Sequence, residues 1–168
     1  MPITIASNAV SDKCWRLFKI NGVHDSAVLK TTNYSYFFKT LDIPNNGLGL
    51  TLNPNPAGAT INIYTMKITG DKFNANQMIN TNNKPYQLRL HYLGTDALTV
   101  NGNADLSLFI VAPYADVTVS GNSGYYGGIK AKSLSFTGNG SIHYDESGDI
   151  TTLSDVQYKV RDVVGRYR

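Results

Sequence analysis

Leu98-Thr99-Val100-Asn101-Gly102-Asn103 is one of four short stretches in which two apolar residues alternate along the chain before a Gly-Asn or Gly-Asp pair. The other three are Met66 to Asp71, Val117 to Asn122 and Leu134 to Asn139. A recurring unit of strand and turn is typical of a chain that coils on itself and stacks its coils. The last three copies begin 19 and then 17 residues apart, and the gap of 32 residues before them predicts two coils of about 16.

Each copy has the periodicity of a β-strand that ends in a corner. In the third copy, Val117 and Val119 are predicted to face inward and Thr118 outward, because successive side chains of a strand point to opposite faces. Gly and Asn follow, and these two residues most readily adopt the left-handed backbone conformation that turns a chain sharply. Stacking of the copies would make Val100, Val119 and Phe136 vertical neighbours.

A second strand is predicted after each corner. Its segments are Ile110-Val111-Ala112, Ile129-Lys130-Ala131 and Ile142-His143-Tyr144, and the first two are separated by the same distance as Leu98 and Val117. Two strands per coil predict an all-β, right-handed parallel β-helix, because parallel crossovers are nearly always right-handed.

The chain of 168 residues is long enough for one domain, and its 15 Gly, 11 Tyr and 17 Asn favour strands and tight corners over helices. We expect a non-repetitive N-terminal cap over residues 1–30, the coils over residues 31–147 and a capping segment over residues 148–168. Val156, Tyr158 and Val160 favour an extended conformation of that last segment, although the spacing of its valines also fits a helix.

Charge and targeting signals exclude several classes of protein. Charged residues make up 16% of the chain with a net charge of +3, which is too little basic character for a nucleic-acid-binding protein. Cys14 is the only cysteine, so an internal disulfide is excluded. The longest apolar run, Leu108 to Ala112, is far shorter than a membrane span. We therefore expect a soluble chain, with any export signal lying outside it.

No catalytic residue, metal ligand or cofactor is predicted. The best carboxylate cluster is Asp145, Glu146 and Asp149, but adjacent residues of a strand point to opposite sides, which is poor geometry for an acid-base pair. His24, His91 and His143 lack the spacing of metal ligands, and His143 is predicted to face outward. A polysaccharide-active β-helix enzyme remains an alternative.

Aromatic residues supply the candidate binding site. Tyr125 and Tyr126, beside Gly124, are the predicted ligand-binding residues, because exposed rings commonly stack against sugars and protein ligands. The run that holds Tyr34, Tyr36, Phe37 and Phe38 is a second aromatic surface, with filling of the interior as the alternative for both. Outward Thr99, Thr118 and Ser135 would form a polar ladder, for which ice binding is a further alternative.

The run from Leu98 to Glu146 resembles the β-helical domain of bacterial surface proteins, among them PilX-type pilus assembly proteins and MshQ-like proteins of the mannose-sensitive haemagglutinin pilus system. The likeness lies in three segments, with an opening strand from Tyr36 to Ile43 that is also similar to the family's. The three segments are Phe109 to Ala115, Tyr126 to Lys132 and Ile142 to Glu146. The resemblance implies a surface or pilus-associated location and a structural or adhesive role, without catalytic residues.

The sequence therefore predicts a non-enzymatic structural or adhesive module of a bacterial cell-surface or pilus-associated assembly. Its expected partners are proteins of that assembly and a glycan, with self-association through the ends of the β-helix as a further expectation. The alternative within the binding class is a polymer-forming scaffold subunit that resembles a bactofilin.

Overall fold

The structure is a computed structural model of the chain. It describes residues 3–5, 14–19, 27–31, 34–42, 50–54, 60–69, 72–74, 78–80, 82–102 and 104–147. The predicted C-terminal capping segment, residues 148–168, lies outside the described residues.

The described residues form fourteen β-strands, one 3-10 helix at Pro85–Gln87 and no α-helix. The strands are β1 Ile3–Ile5, β2 Cys14–Lys19, β3 Ala27–Thr31, β4 Tyr34–Asp42, β5 Leu50–Pro54, β6 Ile61–Thr65, β7 Ile68–Thr69, β8 Lys72–Asn74, β9 Met78–Asn80, β10 Leu88–Tyr92, β11 Leu98–Gly102, β12 Leu106–Gly121, β13 Tyr125–Thr137 and β14 Ile142–Tyr144. The predicted all-β class is confirmed.

Every pairing between the described strands is parallel. One sheet has four strands in the order β1-β3-β5-β9, and the other has ten, with β14-β13-β12-β10-β6-β4-β2 as its main path. On side branches of the larger sheet, β11 pairs with β12 and β8, and β7 pairs with β4. Parallel partners cannot be joined by a tight hairpin, so the chain leaves each strand and returns beside it after a long connection.

The distance along the chain between paired residues is longer in the N-terminal part than in the C-terminal part. Ile61 pairs with Leu88, and Lys72 pairs with Thr99. In both pairs the offset, which is the difference between the two residue numbers, is 27, and the hydrogen-bonded residues Asn80 and Ser107 are separated by the same number. The prediction of two coils between Met66 and Leu98 is therefore wrong. The Met66 to Asp71 stretch has the right composition, but it lies outside the register of the later copies.

The later copies have the predicted register. Val100 pairs with Val119 at an offset of 19, and Val119 pairs with Phe136 at an offset of 17. The change of offset takes place between β12 and β13, where Ala112 pairs with Ala131 before a register shift, after which Asp116 pairs with Ser133. The predicted equivalence of Ile142 with Ile129 is wrong, because Ile142 pairs with Tyr125 instead.

Alternate residues of the strands build the core. Ile61 and Ile63 of β6 are fully buried, as are Leu88 and Leu90 of β10, with which they pair. On β12 the same inner face is lined by Leu106, Leu108 and Ile110. The residues between them face the other side of the sheet. Parallel pairing in register thus stacks apolar side chains of one strand on those of the next.

Two predicted inner residues are not buried. Leu134 pairs with Val117 and Phe136 pairs with Val119, but Leu134 is 41% exposed and Phe136 is 50% exposed. In the described part of the chain, β14 covers only the first residues of β13, so residues 133–137 have a paired neighbour on one side alone. Residues 3–5 and 14–19, in the predicted N-terminal cap, extend the parallel ladders at the other end.

Candidate functional site

The outer face of the ten-stranded sheet carries a column of three rings. Phe37, Tyr64 and His91 occupy paired positions on β4, β6 and β10, because Phe37 pairs with Tyr64 and Tyr64 pairs with His91. Their neighbours along each strand, such as Tyr36 and Ile63, are buried in the core. Strand alternation therefore places the three rings on the face opposite to the core, and we call them the aromatic column.

The rings of the aromatic column are stacked nearly parallel. The centroids of Phe37 and Tyr64 are 4.8 Å apart with planes inclined by 12°, and those of Tyr64 and His91 are 4.3 Å apart with planes inclined by 10°. Exposure falls along the column, from 37% at Phe37 to 3% at His91. Each ring pair contributes about 0.5–1.5 kcal/mol beyond area burial, so the column is held rigidly. Phe37 is its most exposed member.

The His91 ring is held in its neutral form. Burial, and after it the charge of Arg89, lower the pKa of His91 from its usual 6.5 to about 4. Its Nε2 lies 3.3 Å from Oδ1 of Asn62, and because that amide oxygen accepts, Nε2 carries the proton. Nδ1 is buried without a hydrogen-bond partner among the described residues. At neutral pH the column therefore ends in an uncharged imidazole.

The lowered pKa predicts acid sensitivity. In the unfolded chain His91 binds a proton below pH 6.5, whereas in the folded chain it does so only below about pH 4. The neutral ring therefore contributes fully to the free energy of unfolding above pH 6.5, and this contribution is lost as the pH falls towards 4. We expect this group to lower the free energy of unfolding by about 2 kcal/mol between pH 7.5 and pH 5.

The control for this prediction is His91→Phe, which keeps a stacked ring but cannot titrate. Urea unfolding at the two pH values should show a smaller loss of stability in His91→Phe than in the wild-type protein, by about 2 kcal/mol. An equal loss in both proteins would show that His91 is not the titrating group.

A second pair of stacked rings lies on the same outer face. Tyr126 of β13 pairs with His143 of β14, and their ring centroids are 4.6 Å apart with planes inclined by 9°. Tyr126 is 38% exposed, and His143 is exposed with its Nε2 3.0 Å from the hydroxyl of Ser141. Tyr126 thus lies where a ligand can reach its ring, and His143 faces outward as predicted. We call Tyr126 and His143 the ring pair.

Tyr125 is placed differently. Its side chain is 3% exposed, and its hydroxyl lies 2.8 Å from the carbonyl oxygen of Leu108 and 3.2 Å from that of Gly128. Burial raises the pKa of Tyr125 well above its usual value, so the hydroxyl stays protonated and donates. The structure corrects the prediction for this residue, because a ring inside the core has no free face for a ligand.

The predicted N-terminal aromatic surface also divides between the two faces. Tyr36 and Phe38 are buried and Phe37 is exposed, while the side chain of Tyr34 lies outside the described residues. Tyr64 and His91 were missed as candidates. The signal was present in the sequence, because positions 37, 64 and 91 are evenly spaced at the register offset of this part of the sheet.

The predicted hydroxyl ladder exists, and two of its three members bond to each other. Thr99 pairs with Thr118 and Thr118 with Ser135, and the Thr118 and Ser135 hydroxyl oxygens are 2.9 Å apart. Beside this ladder, the hydroxyl of Ser133 donates to Asp116 at 2.6 Å, and this bond together with Lys132 lowers the pKa of the Asp116 carboxyl. The polar face thus consists of local pairs.

The described members of the candidate carboxylate cluster, Asp145 and Glu146, lie at a turn. Oδ1 of Asp145 accepts hydrogen bonds from the backbone N–H of Ser147 at 2.9 Å and from its hydroxyl at 2.6 Å, whereas Asp149 lies outside the described residues. Within the described ranges, no group of three or more His, Cys, Asp or Glu side chains is arranged to hold a metal ion.

Among the described residues there is no helix with the length and apolar character needed to cross a membrane.

Comparison with known proteins adds one match. No curated protein and no solved structure matches the chain. The model of one family, DUF7305, which is described as a domain of unknown function, matches residues 39–149. Because this match spans more than half of the chain and includes Tyr64, His91 and the ring pair, the protein belongs to the DUF7305 family.

Proposed function

We propose that the chain winds into a right-handed parallel β-helix and serves as a non-enzymatic structural or adhesive module on a bacterial surface or in a pilus-associated assembly. The parallel registers support the winding, because the strands on the main path of the ten-stranded sheet follow one another in chain order. Each step from one strand of this path to the next then corresponds to one rung of the β-helix. The right hand follows from the strong preference of parallel crossovers.

The observation that carries the adhesive role is the presence of two ring stacks on one outer face. Phe37 of the aromatic column is 37% exposed, and Tyr126 of the ring pair is 38% exposed. Flat aromatic surfaces held rigidly by stacking bind the apolar faces of sugar rings and of protein side chains at a low cost in side-chain entropy. The outer face is therefore the proposed contact surface, with a glycan as its ligand.

The resemblance of residues 98–146 to domains of pilus-associated proteins supports a location at the cell surface. Such a module needs a stable scaffold and an outward binding face, and it needs no reactive group. The stacked core and the ring stacks fit these two requirements.

The test is a glycan-array screen followed by affinity measurements on variants. We expect a saccharide to bind, and Phe37→Ala combined with Tyr126→Ala to weaken that binding at least about tenfold, because stacking of one ring is worth about 1 kcal/mol or more. Tyr114→Ala is the matched control, since Tyr114 is 38% exposed but belongs to neither ring stack.

Two results would contradict the glycan-binding role. The first is the absence of any saccharide ligand, and the second is binding that falls equally in the double variant and in Tyr114→Ala. Turnover of the saccharide would favour the enzymatic alternative over a binding module.

A specific observation also favours the bactofilin-like polymer as a second candidate. Leu134, Phe136, Ile142 and Tyr144 are large apolar side chains with exposures from 41% to 54% at one end of the ten-stranded sheet. Exposed apolar residues at a strand edge can pair with another chain. Concentration-dependent filaments in electron micrographs of the purified protein would support this candidate.

A further inference from the structure

A cavity of about 280 Å³ lies at the connection between β10 and β11. Its wall consists of Tyr92 at the end of β10, residues 96–99 and residues 67–68. No member of the aromatic column or of the ring pair lines it. Pockets that enclose drug-sized ligands have volumes of about 300–1,000 Å³, so this cavity has the size for a smaller molecule.

Hydrogen bonds hold the two sides of the cavity together. The carbonyl oxygen of Lys67 accepts from the backbone N–H of Leu41 at 2.8 Å and from the hydroxyl of Thr65 at 2.9 Å. The backbone N–H of Leu93, at the start of the connection, donates to the carbonyl oxygen of Thr65 at 2.8 Å. The wall of the cavity is therefore part of the bonded framework of the sheet.

Tyr92 brings an unused hydroxyl to this cavity. Tyr92 lines the cavity although it is only 2% exposed, and among the described residues its hydroxyl has no hydrogen-bond partner. Burial, and after it the charge of Asp96, raise the pKa of Tyr92, so the hydroxyl is protonated at neutral pH and can donate. An enclosed hydroxyl without a partner inside the protein is free to bond to a ligand.

The other lining residues add one charge of each sign and an apolar wall. The side chains of Lys67 and Asp96 are exposed, and neither forms an ion pair in the described part of the chain. Lys67 can only donate hydrogen bonds, and the carboxylate of Asp96 can only accept them. Ile68 and Leu98 are buried and apolar. Because the two charges cancel, the cavity favours a polar ligand without net charge.

We propose that this cavity binds one pyranose unit of a glycan, with Tyr92, Asp96 and Lys67 as the residues that bond to its hydroxyls. A sugar hydroxyl both donates and accepts, so it can bond to all three groups, and the C–H groups of the sugar ring fit beside the apolar wall. The inference rests on the proposed glycan-binding role and assigns to it a second site, apart from the ring stacks.

The test is an NMR titration of the isotope-labelled full chain with methyl glycosides of hexoses and of N-acetylhexosamines. We expect saturable shifts of the backbone amides of residues 92–99 with a Kd of about 1–10 mM, because so small a ligand makes few contacts. Tyr92→Phe and Asp96→Asn should each weaken binding at least about fivefold, since each removes a hydrogen-bonding group. Tyr114→Phe is the matched control, because Tyr114 is exposed and lies outside the cavity.

Tyr92→Phe has a structural readout as well. The substitution keeps the buried ring and removes a hydroxyl that has no partner among the described residues, so the midpoint of urea unfolding should be unchanged or slightly higher. A large fall in the midpoint would mean that the hydroxyl holds the fold together, and this would overturn its assignment to a ligand.

Three results of the titration would overturn the proposal. They are the absence of saturable shifts at the cavity, equal weakening in Tyr92→Phe and Tyr114→Phe, and tighter binding of free glycine than of any glycoside. The last result would assign the cavity to a zwitterionic ligand.

The ring stacks and the cavity can fail separately. Binding on the glycan array that is lost in Phe37→Ala with Tyr126→Ala, without shifts at the cavity, would overturn this inference and leave the ring stacks as the binding surface. Saturable shifts at the cavity together with a negative array would support the cavity and contradict the role of the ring stacks.

Discussion

Val117→Asp is expected to prevent stable folding. Val117 is 1% exposed, and it is paired with Leu98 on one side and with Leu134 on the other. A carboxylate at this position would lie among apolar side chains without a partner, at a cost of about 4 kcal/mol or more. Because domains of this size are stable by only about 5–15 kcal/mol, circular dichroism and urea unfolding should show a largely unfolded chain or a large fall in the midpoint.

Thr118→Asp is the matched control, one residue further along the same strand. Thr118 faces outward, and its hydroxyl bonds to that of Ser135 at an exposed site. Loss of this bond and addition of a solvated charge should change the free energy of unfolding by about 1 kcal/mol or less. Equal unfolding midpoints for the two variants would contradict the inward and outward assignment of β12.

The second large effect is expected for Gly121→Ala. Gly121 has a φ of +139°, which L-amino acids with a side chain rarely adopt, and a Cβ there would overlap the carbonyl oxygen of Gly102 on the paired strand. A backbone atom of a neighbouring strand cannot move aside without breaking the ladder. We expect a loss of about 3 kcal/mol or more in the free energy of unfolding, measured by urea or thermal denaturation.

Gly102→Ala provides the comparison within the same residue pair. The nearest atom to a Cβ at Gly102 is the carbonyl oxygen of Ala104 at 3.5 Å, an ordinary van der Waals distance. This substitution should change stability by about 1 kcal/mol or less. A loss as large as that of Gly121→Ala would mean that the two glycines have the same environment, contrary to the structure.

The C-terminal registers could be predicted from the sequence because the connections there are short. With offsets of 19 and then 17, the strand and its corner recur almost without insertion, so the alignment of Leu98, Val117 and Leu134 is visible in the sequence. In the N-terminal part the offset rises to 27, and the additional residues obscure the repeat. Met66 to Asp71 then matched the pattern by composition alone, since short apolar alternation before Gly is common in strands and turns.

The candidate site could be predicted from the sequence only in part, because the pairing of distant strands decides which rings are exposed. Of two adjacent tyrosines in one strand, alternation requires one to face the core, so Tyr125 and Tyr126 could not both present their rings. Which of them lies inside depends on the pairing of Tyr125 with Leu106 of the previous strand, a contact between residues distant in sequence. Tyr64 and His91 carry no local signal, and only the even spacing of the register relates them to Phe37.

The register shift between Ala112 and Asp116 determines which length changes this protein tolerates. There β13 has two residues fewer than β12, and the inward and outward order of the following side chains is preserved, as in the pairing of Val117 with Leu134. Loss of an even number of residues leaves the parity of a strand unchanged, whereas loss of one would exchange its buried and solvated sides. Insertions and deletions at this position should therefore be accepted in twos, so that the length of a strand can vary while its buried side stays apolar.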